Sequence, residues 1–171
     1  MIAAMVEKQI VATEAATGES ADFMRDIFRV SPTAFWKFGM FMPLAKHRRA
    51  ASSEARAVAA LVGTLSEDCG PCVQTVVNLA QQDGVDGSVL RAVLNDKPED
   101  LGPELAEVYD FAQAVVTAAP DAAARSDKLK QSMGEEAVVD LSLAIATTRV
   151  FPTVKRGLGY GVSCSLVQVE V

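Results

Sequence analysis

Ala57-Val58-Ala59-Ala60-Leu61-Val62-Gly63-Thr64-Leu65 runs directly into Ser66-Glu67-Asp68-Cys69-Gly70-Pro71-Cys72. The second half of this stretch carries the one recognisable piece of chemistry in the chain, and the first half decides its setting. A Cys-x-x-C motif that follows a buried strand belongs to a β-α-β redox unit. Here an alanine-rich run precedes the motif, alanine is the best helix former, and no strong strand pattern stands before it. The reading is therefore a cysteine pair between two helices.

Helical signals repeat outward from there. Ile2, Met5, Val6 and Ile10 recur at helical spacing in a segment that stops near Gly18. Ser20 is placed to cap a helix over 21–30. Ser31-Pro32, a cap followed by proline in the first turn, opens an aromatic helix (Phe35, Trp36, Phe38, Phe41) that Pro43 is expected to close. Ser52-Ser53 begins the alanine-rich helix. Beyond the cysteines, helix continues to Gln82 and ends at Gly84, and Ser88 starts another through Leu94. Residues 95–102 read as loop, Pro103 opens a helix through Ala119, and residues 125–133 form a charged helix stopped by Gly134. The stretch 135–150 is apolar on most sides and is expected to be central, with a separate short helix after Pro152. The tail 162–171 alternates loosely. No linker divides the chain, so 1–171 is read as a single all-α domain.

Composition narrows the function. Half of the 171 residues are apolar, mostly Ala, Val and Leu, and the net charge is −6. An acidic surface repels phosphate backbones, so nucleic acid is not expected as a partner. No segment reads as 18 uncharged apolar residues, and the N-terminus lacks a basic start and cleavage site, so a cytoplasmic protein without a membrane partner is expected. Three cysteines do not make a paired extracellular framework. In a reducing compartment a close pair points to catalysis, sensing or metal.

Glu67-Asp68-Cys69-Gly70-Pro71-Cys72-Val73-Gln74, held between an alanine-rich helix and an amphipathic one, resembles the carboxymuconolactone decarboxylase superfamily, and within it the AhpD-like alkylhydroperoxidases. The resemblance covers residues 54–94 and extends more weakly to 135–156. It implies an all-helical bundle that assembles as a homo-oligomer. It also implies a hydroperoxide or disulfide as small-molecule substrate, and attack by Cys72 with Cys69 resolving. An external dithiol would be the reductant, since the third cysteine, Cys164, is remote in sequence. Two positions depart from the pattern of the redox branch. The histidine expected four residues after the second cysteine is Val76, and the glutamate expected about twelve before the first is Ala57, with Glu54 the nearest acid upstream.

A thiol reacts as its thiolate, which a helix N-terminus favours and adjacent carboxylates oppose. Glu67 and Asp68 stand directly before Cys69. Glu67 is the nearest candidate for moving a proton, so Cys69, Cys72 and Glu67 form the candidate catalytic set. A capping or solvated role for Glu67 stands beside that reading, as do two small core cysteines beside the redox pair. The lone histidine, His47, sits in the basic run Lys46-His47-Arg48-Arg49 and reads as surface. Cys69, Cys72, Cys164 and His47 match a zinc set in number but not in spacing, so neither metal nor cofactor is expected. The alternatives to an AhpD-like oxidoreductase are a redox-sensing or non-catalytic member of the same fold and, further off, a lactone decarboxylase, whose chemistry needs no cysteine pair.

Overall fold

The computed structural model describes residues 2–160. Helices follow one another as α1 (Ile2–Thr17), α2 (Asp22–Val30), α3 (Pro32–Gly39), α4 (Met42–Ala45), α5 (Ser53–Leu65), α6 (Gly70–Gln82) and α7 (Gly87–Leu94). A 3₁₀ turn (Pro98–Asp100) then leads to α8 (Pro103–Val116), α9 (Ala122–Met133) and α10 (Glu135–Gly157). The described residues contain no strand. The tail 162–171 and Cys164 lie outside them.

The alanine-rich stretch forms α5, the helix around which the larger core is built. Ser52 caps it by accepting the Ala55 N–H at 3.1 Å. Ala55 and every residue from Ala57 to Thr64 are buried. A helix buried on all faces must be made of small and apolar side chains, and that is what the sequence supplies. α5 packs most extensively against α10, then against α8 and α6. Val58, Leu61, Val77, Leu90, Val108, Leu141 and Ile145 close the space between them. Burying a side chain of this size is worth about 1.5–3 kcal/mol relative to leaving it in water.

The approach of α5 to α10 depends on Gly63. A Cβ there would stand 2.8 Å from Thr148 Oγ1 and 2.9 Å from the Ile145 carbonyl oxygen. At the other end of the same contact, Asp140 of α10 is fully buried. Its Oδ2 accepts the N–H groups of Arg49, Ala50 and Ala51 at 2.8, 2.7 and 3.0 Å, and so holds the segment that feeds α5. Burial by itself would raise the Asp140 pKa. The three amides, aided by nearby His47, outweigh that and hold the carboxyl below its ordinary value.

A second, smaller core joins Val6 and Ile10 of α1, Phe23 of α2 and Phe35 of α3 to Phe151, Val154 and Tyr160. Phe23 meets Phe38 and Tyr160 edge-on, and Phe38 packs against Phe151. The aromatic stripe of α3 is thus mainly core, with Trp36 left partly exposed. Arg25 clasps α1 to α2 through Glu7 and Glu14. The Arg25 guanidinium, with the Ala21 N–H, draws the Glu14 carboxyl down to about 2.

The proline positions differ most from expectation. Pro43 does not close the aromatic helix: α3 ends at Gly39, and Pro43 lies in the first turn of α4, where a missing N–H costs nothing. Pro152 does not start a new helix but lies inside α10. An interior proline costs about 3 kcal/mol, but α10 is gripped on both sides of it, by the large core up to Ile145 and by the aromatic core at Phe151 and Val154. Continuous helix is also what makes α10, at 23 residues, long and apolar enough to cross a membrane by length and composition. In the fold it is a central packing helix that carries the buried Asp140. Two caps also shift: α7 is capped by Asp86 rather than begun by Ser88, and α8 stops at Val116, with Ala118 turning left-handed at φ 52°.

Gly63→Ala is expected to destabilise the protein by about 1–3 kcal/mol in urea unfolding. Thr148→Ala should not rescue it, because the Ile145 carbonyl still blocks the Cβ. Asp140→Ala strands three N–H groups and is expected to cost about 3 kcal/mol. Because the folded-state pKa of Asp140 is depressed, its contribution is complete above the unfolded value of about 3.9 and is lost as pH falls through the lower folded value. The acid limb of stability against pH should therefore be shallower in Asp140→Ala than in the natural chain.

Candidate functional site

Between Leu65 and Gly70 the chain must reverse from α5 into α6. The turn tightens stepwise: Glu67 N–H donates to the Thr64 carbonyl at 3.1 Å and Asp68 N–H to the Leu65 carbonyl at 3.2 Å. Asp68 adopts φ 49°, a left-handed conformation that aspartate tolerates better than most side chains. Cys69 then takes the N-cap position of α6, with Pro71 in the first turn and the Val73 N–H returning to the Cys69 carbonyl at 2.9 Å. This geometry puts Cys72 one turn into the helix.

Cys69 and Cys72 are joined in a disulfide with their Cα atoms 5.3 Å apart. They are 4% and 7% exposed. The pair stands at the positive end of the helix dipole, and α6 carries no acidic residue in its first turn. The position that could have held a histidine, Val76, packs against the large core, and Ala57 is buried in α5.

Glu67 points to α10 rather than to open solvent. Its side chain is only 11% exposed. Arg149 Nε donates to its Oε1 at 2.9 Å; the Thr153 hydroxyl, which donates to the Arg149 carbonyl at 2.8 Å, lies 3.4 Å from its Oε2, and Arg156 Nη2 lies 3.5 Å from the same oxygen. Arg156 Nη2 also donates to the Glu67 backbone carbonyl at 2.6 Å. Asp68 is exposed. Thr75, one turn past the pair, donates back to the Pro71 carbonyl at 3.0 Å, and Gln74 donates to Asn78.

His47 belongs to the other end of α5, the length of that helix (roughly 20 Å) from the cysteines. Its Nε2 lies 3.4 Å from Asp140 Oδ1. Among the described residues no three His, Cys, Asp or Glu side chains converge as a metal site requires. The shallow groove lined by Lys130, Glu135, Val138, Val139, Ser142 and Leu143 includes neither cysteine.

Arg149 and Arg156 are the partners of Glu67 that sequence alone does not pair with it. They stand more than 80 positions from Glu67, and no local spacing links them to it. The available signal was a single arginine, Arg149, near the end of an otherwise apolar helical run, because a charge in such a run needs a partner. Asp140 gives the same signal. Comparison of the chain with protein-family models, with curated proteins and with solved structures finds no match.

The helix that carries the pair is also tied to α1. Asn78 donates to the Thr17 carbonyl and Gln82 to the Ala16 carbonyl, each at 2.7 Å, which satisfies the open end of α1. Asn78→Ala is expected to cost about 1 kcal/mol. Amide hydrogen exchange should accelerate in the last turn of α1 and leave α5 unchanged.

Proposed function

We propose that the protein is a thiol-dependent oxidoreductase that uses Cys69 and Cys72 as a reversible dithiol–disulfide pair, with a small hydroperoxide as oxidant. The observation that carries this reading is the disulfide between the N-cap and the first turn of α6. A helix N-terminus favours the thiolate needed for attack, and the second sulfur is already at bonding distance. The resemblance of residues 54–94 to AhpD-like proteins adds to it, and with it come the finer readings of an AhpD-like bundle and a homo-oligomer. Near-complete burial of both cysteines favours a small oxidant over a folded protein disulfide.

One thiolate attacks the distal oxygen of the hydroperoxide, the O–O bond breaks, and a sulfenic acid forms. The alkoxide leaves as an alcohol, taking up through solvent the proton the thiol released. The second thiol displaces the sulfenic hydroxyl as water, and the disulfide closes. An external dithiol then returns two electrons by thiol–disulfide exchange. Val76 and Ala57 provide no proton-transfer group, so solvent carries the proton, and turnover is expected to be slower than with a positioned acid or base. General acid–base help is typically worth about 10²–10⁴-fold.

The test is consumption of an organic hydroperoxide by the reduced protein with a small dithiol as reductant. The natural chain should turn over and lose two hydrogens from the peptide spanning Cys69 and Cys72 at each oxidation. Cys69→Ser and Cys72→Ser should each abolish turnover while leaving helix content unchanged. Oxidation of the pair without turnover under any dithiol would overturn the enzymatic reading in favour of a redox sensor.

A further inference from the structure

The carboxylates before Cys69 oppose formation of a thiolate there, and the structure supplies a counterweight. Glu67, two residues from Cys69, is held by two arginines of α10: Arg149 at 2.9 Å and Arg156 at 3.5 Å from its carboxylate oxygens. Oε1 of Glu67 is taken by Arg149 at 2.9 Å, and Oε2 has longer contacts to α10, Thr153 at 3.4 Å and Arg156 at 3.5 Å. Asp68 is exposed and has no arginine beside it among the described residues, and solvent screens its charge as it does those of the part-exposed Arg149 and Arg156. Among the described residues, the last turn of α5 and the first turn of α6 contain no ionisable side chain besides Cys72. α1 meets α6 further along, through the uncharged Asn78 and Gln82.

Within the pair the two sulfurs are not equivalent. Cys69 occupies the N-cap position, where its side chain makes no cap hydrogen bond while it is held in the disulfide; reduction frees its sulfur to turn toward the first-turn N–H groups. Position two of that turn is Pro71, which has no N–H, so the Cys72 N–H is the donor that remains for a reduced Cys69 sulfur.

We propose that Arg149 and Arg156 are positioning residues for the redox pair: by holding Glu67 from α10 they offset the carboxylate nearest Cys69 and fix the turn, so that the α6 N-cap makes Cys69 the thiolate. This inference rests on the thiol-dependent reading above and deepens it. It reverses the order implied by the AhpD resemblance, in which Cys72 attacks. Glu67 becomes the residue that transmits the arginine charge to the turn rather than the base.

The experiment is the pH dependence of alkylation of each cysteine in the reduced full chain, followed by peptide mass spectrometry that resolves Cys69 from Cys72. Cys69 is expected to react with a midpoint below the ordinary thiol value of about 8.5 and below that of Cys72. Arg149→Gln should raise the Cys69 midpoint and slow its alkylation at pH 7 by about threefold or more. Arg149→Lys, which keeps the charge, should restore most of the rate. Glu67→Gln should shift the midpoint the opposite way, and the Arg149→Gln/Glu67→Gln double variant should return near the natural value. A purely structural role would move both single variants in one direction. Shifts of the same sign, no shift in either, or a Cys72 midpoint below that of Cys69 would each overturn the proposal. The alkylation readout needs no peroxide, so a chain with the expected order and no peroxide turnover would sink the enzymatic reading while leaving this one standing.

Discussion

The carboxylate of Asp140 is the interaction on which the arrangement depends. One oxygen of this fully buried side chain gathers three consecutive backbone N–H groups from residues 49–51. Removing three donors from water without acceptors would cost several kcal/mol, so the loop has one way to enter α5. From that anchor α5 runs in the same direction as α10. Gly63 lets the two backbones close together near the far end of α5, and Arg149 and Arg156 take hold of Glu67 just past it. One helix thus grips its neighbour at the entry and at the exit.

That grip reaches the cysteines. The turn at 66–69 is short, and its last residue is the N-cap of α6. Fixing Glu67 from α10 therefore fixes where α6 begins and where its first-turn N–H groups point. The same helix that buries Asp140 thereby sets two arginines on the Glu67 carboxylate, two residues before Cys69. The fold and the electrostatics of the site share one element.

The smaller aromatic core plays a different part. It joins the N-terminal helices to the far half of α10, and α6 joins it through Asn78 and Gln82. The cysteine pair consequently begins a helix that touches both packing units. Lys155, half-buried with its ammonium 5.7 Å from the Phe23 ring centre, marks the seam. Burial holds its pKa below the ordinary lysine value, with Glu19 pulling the other way.

Helix class, the alanine-rich helix before the motif, and the cysteine pair at a helix start were all legible in the sequence. Each is a local property: propensity, periodicity and capping act within a few residues, as Ser31, Ser52 and Gly134 show. The prolines misled because a missing N–H has opposite meanings in a first turn and in a helix interior, and tertiary packing chooses between them. Glu67 was visible as an acid beside Cys69, but its partners were not, since Arg149 and Arg156 reach it only after α10 has packed along α5. The sequence by itself determined the all-helical class and the close cysteine pair, because those follow from side-chain chemistry over one or two turns. Tertiary structure alone decided which charges surround the pair, because Coulombic partners are set by distance in space and not by distance along the chain.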